Sequence, residues 1–266
     1  MQPFHTFPDA DKARIRYILT DIDDTLTCQG RLPASVFAAL ESLELSGRVV
    51  IPITGRPAGW CDHIARMWPV AGVVGENGAF SFAYDRSRKK MRRWYWKTDA
   101  ERDQDRKKLE SLKTTILDQV PGCRVSADQA YREADLAIDF CEDVPRLSES
   151  EIRRIVDCFQ EAGARAKISS IHVNGWFGNY DKLSMTRYFF ERFFEADVAA
   201  QRNEILFIGD SPNDCPLFAF FPHSVGVANI KGFQGDLPAE PSWITCGRGG
   251  IGFAEMVDIL LQGRGA

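Results

Sequence analysis

The sequence predicts an α/β fold in which a parallel-sheet core is interrupted by an inserted α+β domain. Three short apolar runs alternate with two segments whose apolar residues recur at helical spacing. This alternation is typical of a right-handed parallel sheet. Hairpins and charged helices then replace it, and it returns towards the C-terminus. We therefore predict a core formed by 1–79 and 179–266 and an inserted domain at 80–178.

The first part of the core supplies three predicted strands and the two helices between them. The residues before Tyr17 are polar and include two prolines, which predicts a loose lead-in. Gly47 favours a helix C-terminus, and Pro52 weakens the second strand. The predicted elements are strands at 17–19, 49–53 and 71–75 and helices at 34–45 and 58–67.

The middle of the chain predicts a second sheet that helices cover on one face. A basic turn between two aromatic runs favours a hairpin. Ser148 and Glu151 have the spacing of a capping box, which marks the start of a helix. The predicted elements are strands at 80–84, 91–96, 123–126, 135–140 and 166–173 and helices at 100–119 and 148–162.

The last part of the chain again alternates helices and buried strands. Ser211 as an N-cap and Pro212 at the first helical position predict a helix that starts there. The other predicted elements are helices at 183–194 and 249–261 and strands at 204–208 and 224–228.

Composition narrows the class of protein. The chain has 266 residues, is 44% hydrophobic and carries a formal net charge of -4, which favours neither nucleic-acid nor membrane-surface binding. The seven cysteines are scattered and form no CxxC pair, which predicts free thiols in a reducing compartment. No apolar run is long enough to cross a membrane. We therefore expect a cytoplasmic protein.

Polar residues follow several of the predicted strands. Asp21 and Asp23 come after the first strand, Thr54 after the second and Asp210 after the fourth. Open α/β sheets bind ligands at the carboxyl ends of their strands. Clustered carboxylates repel one another, and a hard cation such as Mg²⁺ would offset the repulsion. Each residue alone also fits a helix cap or an acidic turn.

Four motifs in this order resemble those of the haloacid dehalogenase-like (HAD) phosphatases. Asp21-Ile22-Asp23-Asp24-Thr25 matches DxDxT, and Ile53-Thr54-Gly55-Arg56 matches the second motif, a hydrophobic residue and then Thr-Gly-Arg. Lys182 matches the third by its place, and Gly209 to Asp214 reads GDSPND and matches GDxxND. The resemblance covers nearly the whole chain. Asp24 departs from the glycine of many relatives.

The resemblance implies a Rossmann-like core and, from the position of the insertion, the type-B cap of HAD subfamily IIB. That group includes the Cof-like, sucrose-phosphate and trehalose-phosphate phosphatases. It implies a Mg²⁺-dependent phosphatase that acts on a small-molecule phosphate ester, with a sugar phosphate as the expected substrate class.

The resemblance also implies a role for each motif residue. Asp21 would attack phosphorus and form an aspartyl-phosphate, and Asp23 would be the general acid and base. The expected metal residues are Asp21, Asp23 through its backbone carbonyl and Asp210, with Asp214 binding through a water molecule or lying behind the ligands. The expected phosphate-binding residues are Thr54, Gly55 and Lys182.

Substrate contacts are expected from the core and from the segment that returns from the insertion. The segment 172–180 is polar and aromatic and leads directly to Lys182. Its polar residues also fit an exposed strand, and its Trp176 fits hinge packing. The expected substrate contacts are Arg56, Glu76, Asn77, His172, Asn174 and Asn213.

Three other functions remain open at this point. A phosphomutase of the same fold would need a second phosphate site in the inserted domain. A receiver-type signalling domain would lack both the acid at Asp23 and the insertion. A binding protein without turnover would leave the filled catalytic positions unexplained. Oligomeric state is not determined.

Overall fold

The computed structural model describes residues 1–169, 171–235 and 237–262. The strands are β1 (Gln2–Pro3), β2 (Tyr17–Thr20), β3 (Val49–Pro52), β4 (Val73–Gly75), β5 (Phe80–Asp85), β6 (Lys90–Tyr95), β7 (Arg124–Val125), β8 (Leu136–Asp139), β9 (Arg165–Ile168), β10 (His172–Trp176), β11 (Ile205–Gly209), β12 (His223–Gly226) and β13 (Trp243–Ile244). The helices are α1 (Asp9–Arg14), α2 (Ala34–Leu45), α3 (Ala58–Met67), α4 (Asp99–Gln119), α5 (Glu149–Glu161), α6 (Lys182–Phe189), α7 (Val198–Gln201), α8 (Cys215–Phe220) and α9 (Gly249–Leu261).

A parallel sheet forms the core, with strand order β1-β13-β12-β11-β2-β3. The predicted α/β class and parallel core are therefore confirmed. Residues of β2 and β11 are buried throughout, as expected of strands covered on both faces. Their carboxyl ends lie side by side at one edge of the sheet, which brings the motif residues that follow each strand together.

The hairpin β5-β6 continues the core side of the molecule. It pairs with β4 in an antiparallel sheet, and β4 meets the core sheet through the parallel bridge between Ile53 and Val74. The prediction grouped this hairpin with the insertion, because sequence texture shows a hairpin but not its neighbour. The division of the chain into domains at 80–178 stays a prediction.

A separate antiparallel sheet has the order β7-β8-β10-β9. Helices α4 and α5 pack on it around Leu109, Ile116, Ile138 and Phe159. We call the part from α4 to β10 the cap. The single strand predicted at 166–173 is wrong, since β9 and β10 are two strands that pair antiparallel.

Two smaller differences come from contacts distant in sequence. The predicted lead-in contains β1, which pairs with β13, and Phe4 and Phe7 are buried in the core. Pro212 begins a 3-10 turn that ends at Asp214, and α8 follows it.

In the described part of the chain, every helix is too short or too polar to cross a membrane.

Candidate active site

The end of β2 and the end of β11 bring two acidic residues to one place. Thr20 pairs with Ile208 in register, and the backbone N–H of Asp21 donates to the carbonyl of Ile208 at 3.0 Å. Asp210 follows β11 directly, and its carboxylate accepts from the Thr25 hydroxyl at 3.3 Å. Asp21 and Asp210 are both buried, so the geometry of the edge fixes two carboxylates in a poorly solvated position.

Lys182 reaches this edge from the first turn of α6. Its Nζ lies 2.7 Å from Asp21 Oδ1 and 2.8 Å from Asp214 Oδ1, and the side chain is buried. Burial acts to lower the pKa of Lys182, but the two carboxylates outweigh it and raise the pKa above its ordinary value. A lysine at a helix N-terminus is unfavourable by itself, and these carboxylates compensate for it.

Asp21, Asp210 and Asp214 together form a cluster in which oxygens of all three lie within 4.8 Å of one another. Burial raises the pKa of Asp21 to about 8, although Lys182 acts against it. Burial and the charge of Asp21 raise the pKa of Asp210 well above its usual range. One lysine therefore does not neutralise the cluster. Three buried carboxyl groups that one lysine does not keep ionised offer the oxygen ligands that a hard divalent cation such as Mg²⁺ prefers.

Gly209 lets Asp214 pack against the end of β11. A Cβ at Gly209 would lie 2.4 Å from Asp214 Oδ2, which is far inside van der Waals contact. That same oxygen accepts from the backbone N–H of Asp210 at 3.1 Å. Any side chain at Gly209 would therefore clash with Asp214. One carboxylate oxygen of Asp214 accepts from the backbone and the other contacts Lys182.

Thr54 and Gly55 lie beside this cluster, just after β3. Thr54 is fully buried, and its Oγ1 accepts from the backbone N–H of Arg56 at 3.0 Å. It is not a helix cap, because Pro57 precedes the first residue of α3. Gly55 lies directly against the side chain of Asn77. The hydroxyl of Thr54 and the backbone of Gly55 remain the predicted phosphate donors.

Arg56 binds the side chain of Asp23. Its Nε lies 3.0 Å from both carboxylate oxygens of Asp23, and its Nη2 lies 2.6 Å from Oδ1. The charge of Asp23 raises the pKa of Arg56, although burial acts to lower it. Arg56 also lies 3.8 Å from Asp128 and 3.9 Å from Glu142, both in the cap. The arginine of the second motif therefore joins the predicted acid to the cap.

A cavity of about 30 Å³ lies between the core and the cap at this edge; we call it the chamber. This is small compared with sites for small molecules, which occupy several hundred Å³. Nine of the predicted site residues line it, namely Asp21, Asp23, Gly55, Arg56, Asn77, His172, Asn174, Asp210 and Asn213. Thr54, Lys182 and Asp214 lie behind these, in contact with them.

Glu76 does not line the chamber, in contrast to the prediction that it contacts substrate. It is fully buried, and its carboxylate accepts from the backbone N–H groups of Ala58 in the core and of Glu133, Ala134 and Asp135 in the cap, at 2.6 to 3.2 Å. Burial raises the pKa of Glu76 to about 8, although the hydrogen bonds from these N–H groups act to lower it. Glu76 thus joins core to cap, and its oxygens are already occupied.

His172 and Asn174 approach the chamber from β10, as buried residues rather than exposed ones. Asn174 Nδ2 donates to Asp135 Oδ2 at 2.9 Å. His172 Nε2 lies 2.9 Å from Glu142 Oε2, but burial and the charge of Arg132 lower the pKa of His172 to about 4. The imidazole is therefore neutral at pH 7, and the pair is not an ion pair.

Comparison with known proteins locates this arrangement among solved folds. No family model matches the chain, and the curated proteins contain no match to it. Solved structures do match. A HAD/COF-like hydrolase from Plasmodium vivax is 16% identical with a TM-score of 0.68, covering 96% of this chain and 99% of its own. The sucrose-phosphatase of Synechocystis, solved with sucrose and phosphate, is 14% identical with a TM-score of 0.62, covering 92% and 97%.

A sugar phosphatase of HAD subclass IIB is 14% identical with a TM-score of 0.60, covering 86% of this chain and 93% of its own. This chain has the HAD fold. The likeness extends over core and cap together, since most of each chain is covered. At these identities it is a likeness of fold.

The HAD fold of this chain also brings residues to the chamber that the sequence analysis missed. Arg132 donates to the carbonyl of Gly55 at 3.0 Å and pairs with Asp135, and its side chain is almost fully buried. It follows a short 3-10 turn that carries no helical or strand pattern, so no periodicity indicated it. The missed residues are Arg132, Lys167, Ser169, Ile171 and Ser211.

Proposed function

We propose that this protein is a Mg²⁺-dependent phosphomonoester hydrolase that acts through an aspartyl-phosphate on a small phosphorylated metabolite. The observation that carries the proposal is the position of Asp21. Its carboxylate lines the chamber, contacts Lys182 at 2.7 Å and belongs to the acidic cluster with Asp210 and Asp214. The names of the neighbouring sucrose-phosphatase and sugar phosphatase make sugar phosphates the first class to test.

In the first step, a carboxylate oxygen of Asp21 attacks phosphorus and the ester P–O bond breaks. Asp23 gives its proton to the leaving alkoxide, so the products are an acyl phosphate on Asp21 and a neutral alcohol. The side chain of Asp23 lines the same chamber as Asp21, so both can reach one phosphate ester. Arg56 occupies the oxygens of Asp23 in this arrangement and must release one of them to the leaving group.

In the second step, a water molecule attacks the phosphorus of the acyl phosphate and the bond from phosphorus to the Asp21 oxygen breaks. Asp23 takes the proton of that water, which restores the acid for the next turnover. The ammonium of Lys182, the hydroxyl of Thr54 and the N–H of Gly55 stabilise the phosphoryl oxygens as charge develops on them. Such stabilisation is the main contribution a protein makes to phosphoryl transfer.

The carboxylates of Asp21, Asp210 and Asp214 and the backbone carbonyl of Asp23 would hold Mg²⁺. The cation supplies positive charge that neutralises the substrate phosphate and the buried acids. Without it, the raised pKa of Asp21 would leave much of this carboxyl protonated and unable to attack at neutral pH. The scattered cysteines and the acidic net charge fit a cytoplasmic enzyme.

Phosphate release from a panel of sugar phosphates and simple esters tests this function. With Mg²⁺, we expect the wild-type protein to release phosphate and Asp21→Asn to lose at least about 1,000-fold in kcat, since the amide is not a nucleophile. Chelation should abolish release, and added Mg²⁺ should restore it. A phosphorylated protein that transfers its phosphoryl group to a second sugar phosphate instead of water would indicate a mutase.

A further inference from the structure

A groove of about 880 Å³ lies between the core and the cap, next to the chamber. The two share Ser169, Asp210 and Ser211 in their linings. The volume is within the range of small-molecule sites, which is several hundred Å³. The groove therefore begins at the catalytic edge and continues away from it.

Exposed apolar side chains from separate segments converge on this groove. Ile168 of β9 is 48% exposed, Phe233 after β12 is 38% exposed, and Ile251 in the first turn of α9 is 65% exposed. Phe140 lies beneath this surface, buried in the core of the cap. Exposed apolar residues scattered singly need no explanation, but a group that lines one cleft marks a binding surface.

The charged side chains of the groove favour no single sign. Arg146 donates to Glu149 at 3.2 Å, and Asp24 and Arg248 add one charge of each sign. The apolar surface is therefore the property that distinguishes this groove from the polar chamber beside it.

The core side of the groove is joined by hydrogen bonds and close contacts to the loop 21–27, which follows β2 and carries Asp21 and Asp23. Asn229 Nδ2 donates to the backbone carbonyl of Asp24 at 2.6 Å, and its Oδ1 accepts from the backbone N–H of Gly249 at 3.0 Å. A Cβ at Gly249 would lie 2.5 Å from the carbonyl of Thr27, so the start of α9 touches the same loop. Ile251, two residues further on, is held at a defined position relative to Asp21.

The chamber itself has room for little more than the reacting groups. With a volume of about 30 Å³, it does not enclose a whole phosphate ester, so the organic part must extend into adjoining space. In the described part of the chain, three larger cavities share lining residues with it. One is the groove. A second, of about 380 Å³, is lined by Gln160 and Arg165 together with Ala166 and Pro216, and a third, of about 440 Å³, shares Arg132 with the chamber. The groove has about twice the volume and the exposed apolar wall.

We propose that the groove binds the leaving group of the substrate and selects one with an apolar face or chain. This inference rests on the proposed function, because it assigns the phosphoryl group to the chamber. Ile251 and Phe233 of the core and Ile168 of the cap are the specificity-determining contacts. The substrate class is then a phosphate monoester of an aromatic or aliphatic alcohol, or of a sugar that presents its apolar ring face.

Two esters separate the groove from the chemistry. The leaving group of 2-naphthyl phosphate is large and apolar, whereas methyl phosphate has a leaving group too small to reach the groove. We expect Ile251→Ser and Ile168→Ser each to lower kcat/KM for 2-naphthyl phosphate by about 5- to 10-fold, mainly through KM, because burial of an apolar side chain on the ligand is lost. Neither variant should change kcat/KM for methyl phosphate by more than about twofold.

Matched controls make the result specific. Leu45→Ser removes an apolar side chain that is 88% exposed at the end of α2, and Gln160→Ala alters the second cavity. Neither control should change kcat/KM for 2-naphthyl phosphate. Unchanged values in both groove variants, equal losses on both esters, or a loss in Gln160→Ala would overturn the groove assignment alone. If the wild-type protein releases phosphate from sugar phosphates but cleaves neither of these esters, the groove assignment fails alone. No release from any ester of the panel would mean that the proposed function fails, and this inference with it.

Discussion

At the scale of single residues, the backbone conformation of Asp24 explains why this position departs from the glycine of the usual motif. Its φ is 56°, in the left-handed region where glycine is favoured and other residues are strained. Its backbone N–H donates to Thr27 Oγ1 at 2.8 Å, which stabilises the turn whatever the side chain. A backbone requirement thus accounts for the glycine expected here from the family resemblance, and aspartate is among the residues that tolerate this conformation best.

We therefore predict opposite outcomes for two substitutions at this position. Asp24→Gly should keep the free energy of unfolding within about 1 kcal/mol of the wild type, whereas Asp24→Val should lower it by about 1–2 kcal/mol, because a β-branched residue is strained at this φ. Urea denaturation measures both. Equal stability of the two variants would show that the left-handed turn is not retained.

His172 gives a prediction about pH. Its pKa is lowered to about 4 in the folded protein, from an ordinary value of 6.5, so folding favours the neutral imidazole. This contribution to stability is complete above pH 6.5 and is lost as the pH falls towards 4. The free energy of unfolding of the wild type should therefore fall by up to about 3 kcal/mol relative to His172→Gln between pH 7 and pH 4.

Denaturation at several pH values tests this, with His63→Gln as the control. His63 is exposed on α3, and its replacement should leave the pH dependence unchanged. If wild type and His172→Gln lose stability in parallel, the histidine is not buried as described.

At the scale of elements, the start of α6 is fixed against the turn that follows β4. Gly78 has a φ of 106°, and a Cβ there would lie 2.1 Å from the backbone carbonyl of Asp181. This contact places Lys182 at the carboxyl end of β2, beside Asp21. Gly163 also has a positive φ, of 76°, but has open space around it.

The two glycines should respond differently to alanine. Gly163→Ala should cost about 1 kcal/mol of unfolding free energy, from backbone strain alone, whereas Gly78→Ala should cost about 3 kcal/mol or more because the backbone must also move. Phosphatase activity should fall in Gly78→Ala only, since Lys182 would shift. Thermal denaturation and phosphate release measure the two effects, and similar results for both variants would contradict the close approach.

Local sequence signals predicted these elements unevenly. The capping box of Ser148 and Glu151 is formed, and α5 begins at Glu149. The prediction of one strand at 166–173 was wrong, because the apolar residues fit a single strand whereas the chain reverses between β9 and β10. A periodic pattern shows that residues are extended but not which strand they pair with, and the same limit applies to the hairpin β5-β6.

At the scale of the whole molecule, core and cap are joined by buried polar groups on one side of the chamber. Glu76 accepts four backbone N–H groups, and Arg132 bridges to the Gly55 carbonyl. The motif residues and their order could be predicted from the sequence, but Arg132 and the position of Glu76 could not. Both depend on which loop of the cap faces the core, a tertiary relation that no local pattern carries.

The small chamber implies that the cap opens to admit substrate. We expect small-angle scattering to show a larger radius of gyration for the free protein than for the protein with Mg²⁺ and orthovanadate, a phosphate analogue that closes the site. Asp21→Asn should show less of this change, because it lacks the carboxylate that vanadate would contact. Identical profiles from an active wild-type protein would contradict opening of the cap.

The most direct test of the account asks whether Asp21 carries the phosphoryl group. In a single turnover with substrate and Mg²⁺, quenched in acid at successive times, mass spectrometry of the peptide that contains Asp21 should show one added phosphoryl group. That group should appear before free phosphate and then decay as phosphate is released. Phosphate release without any phosphoryl group on this peptide, or a phosphoryl group on another residue, would contradict the account.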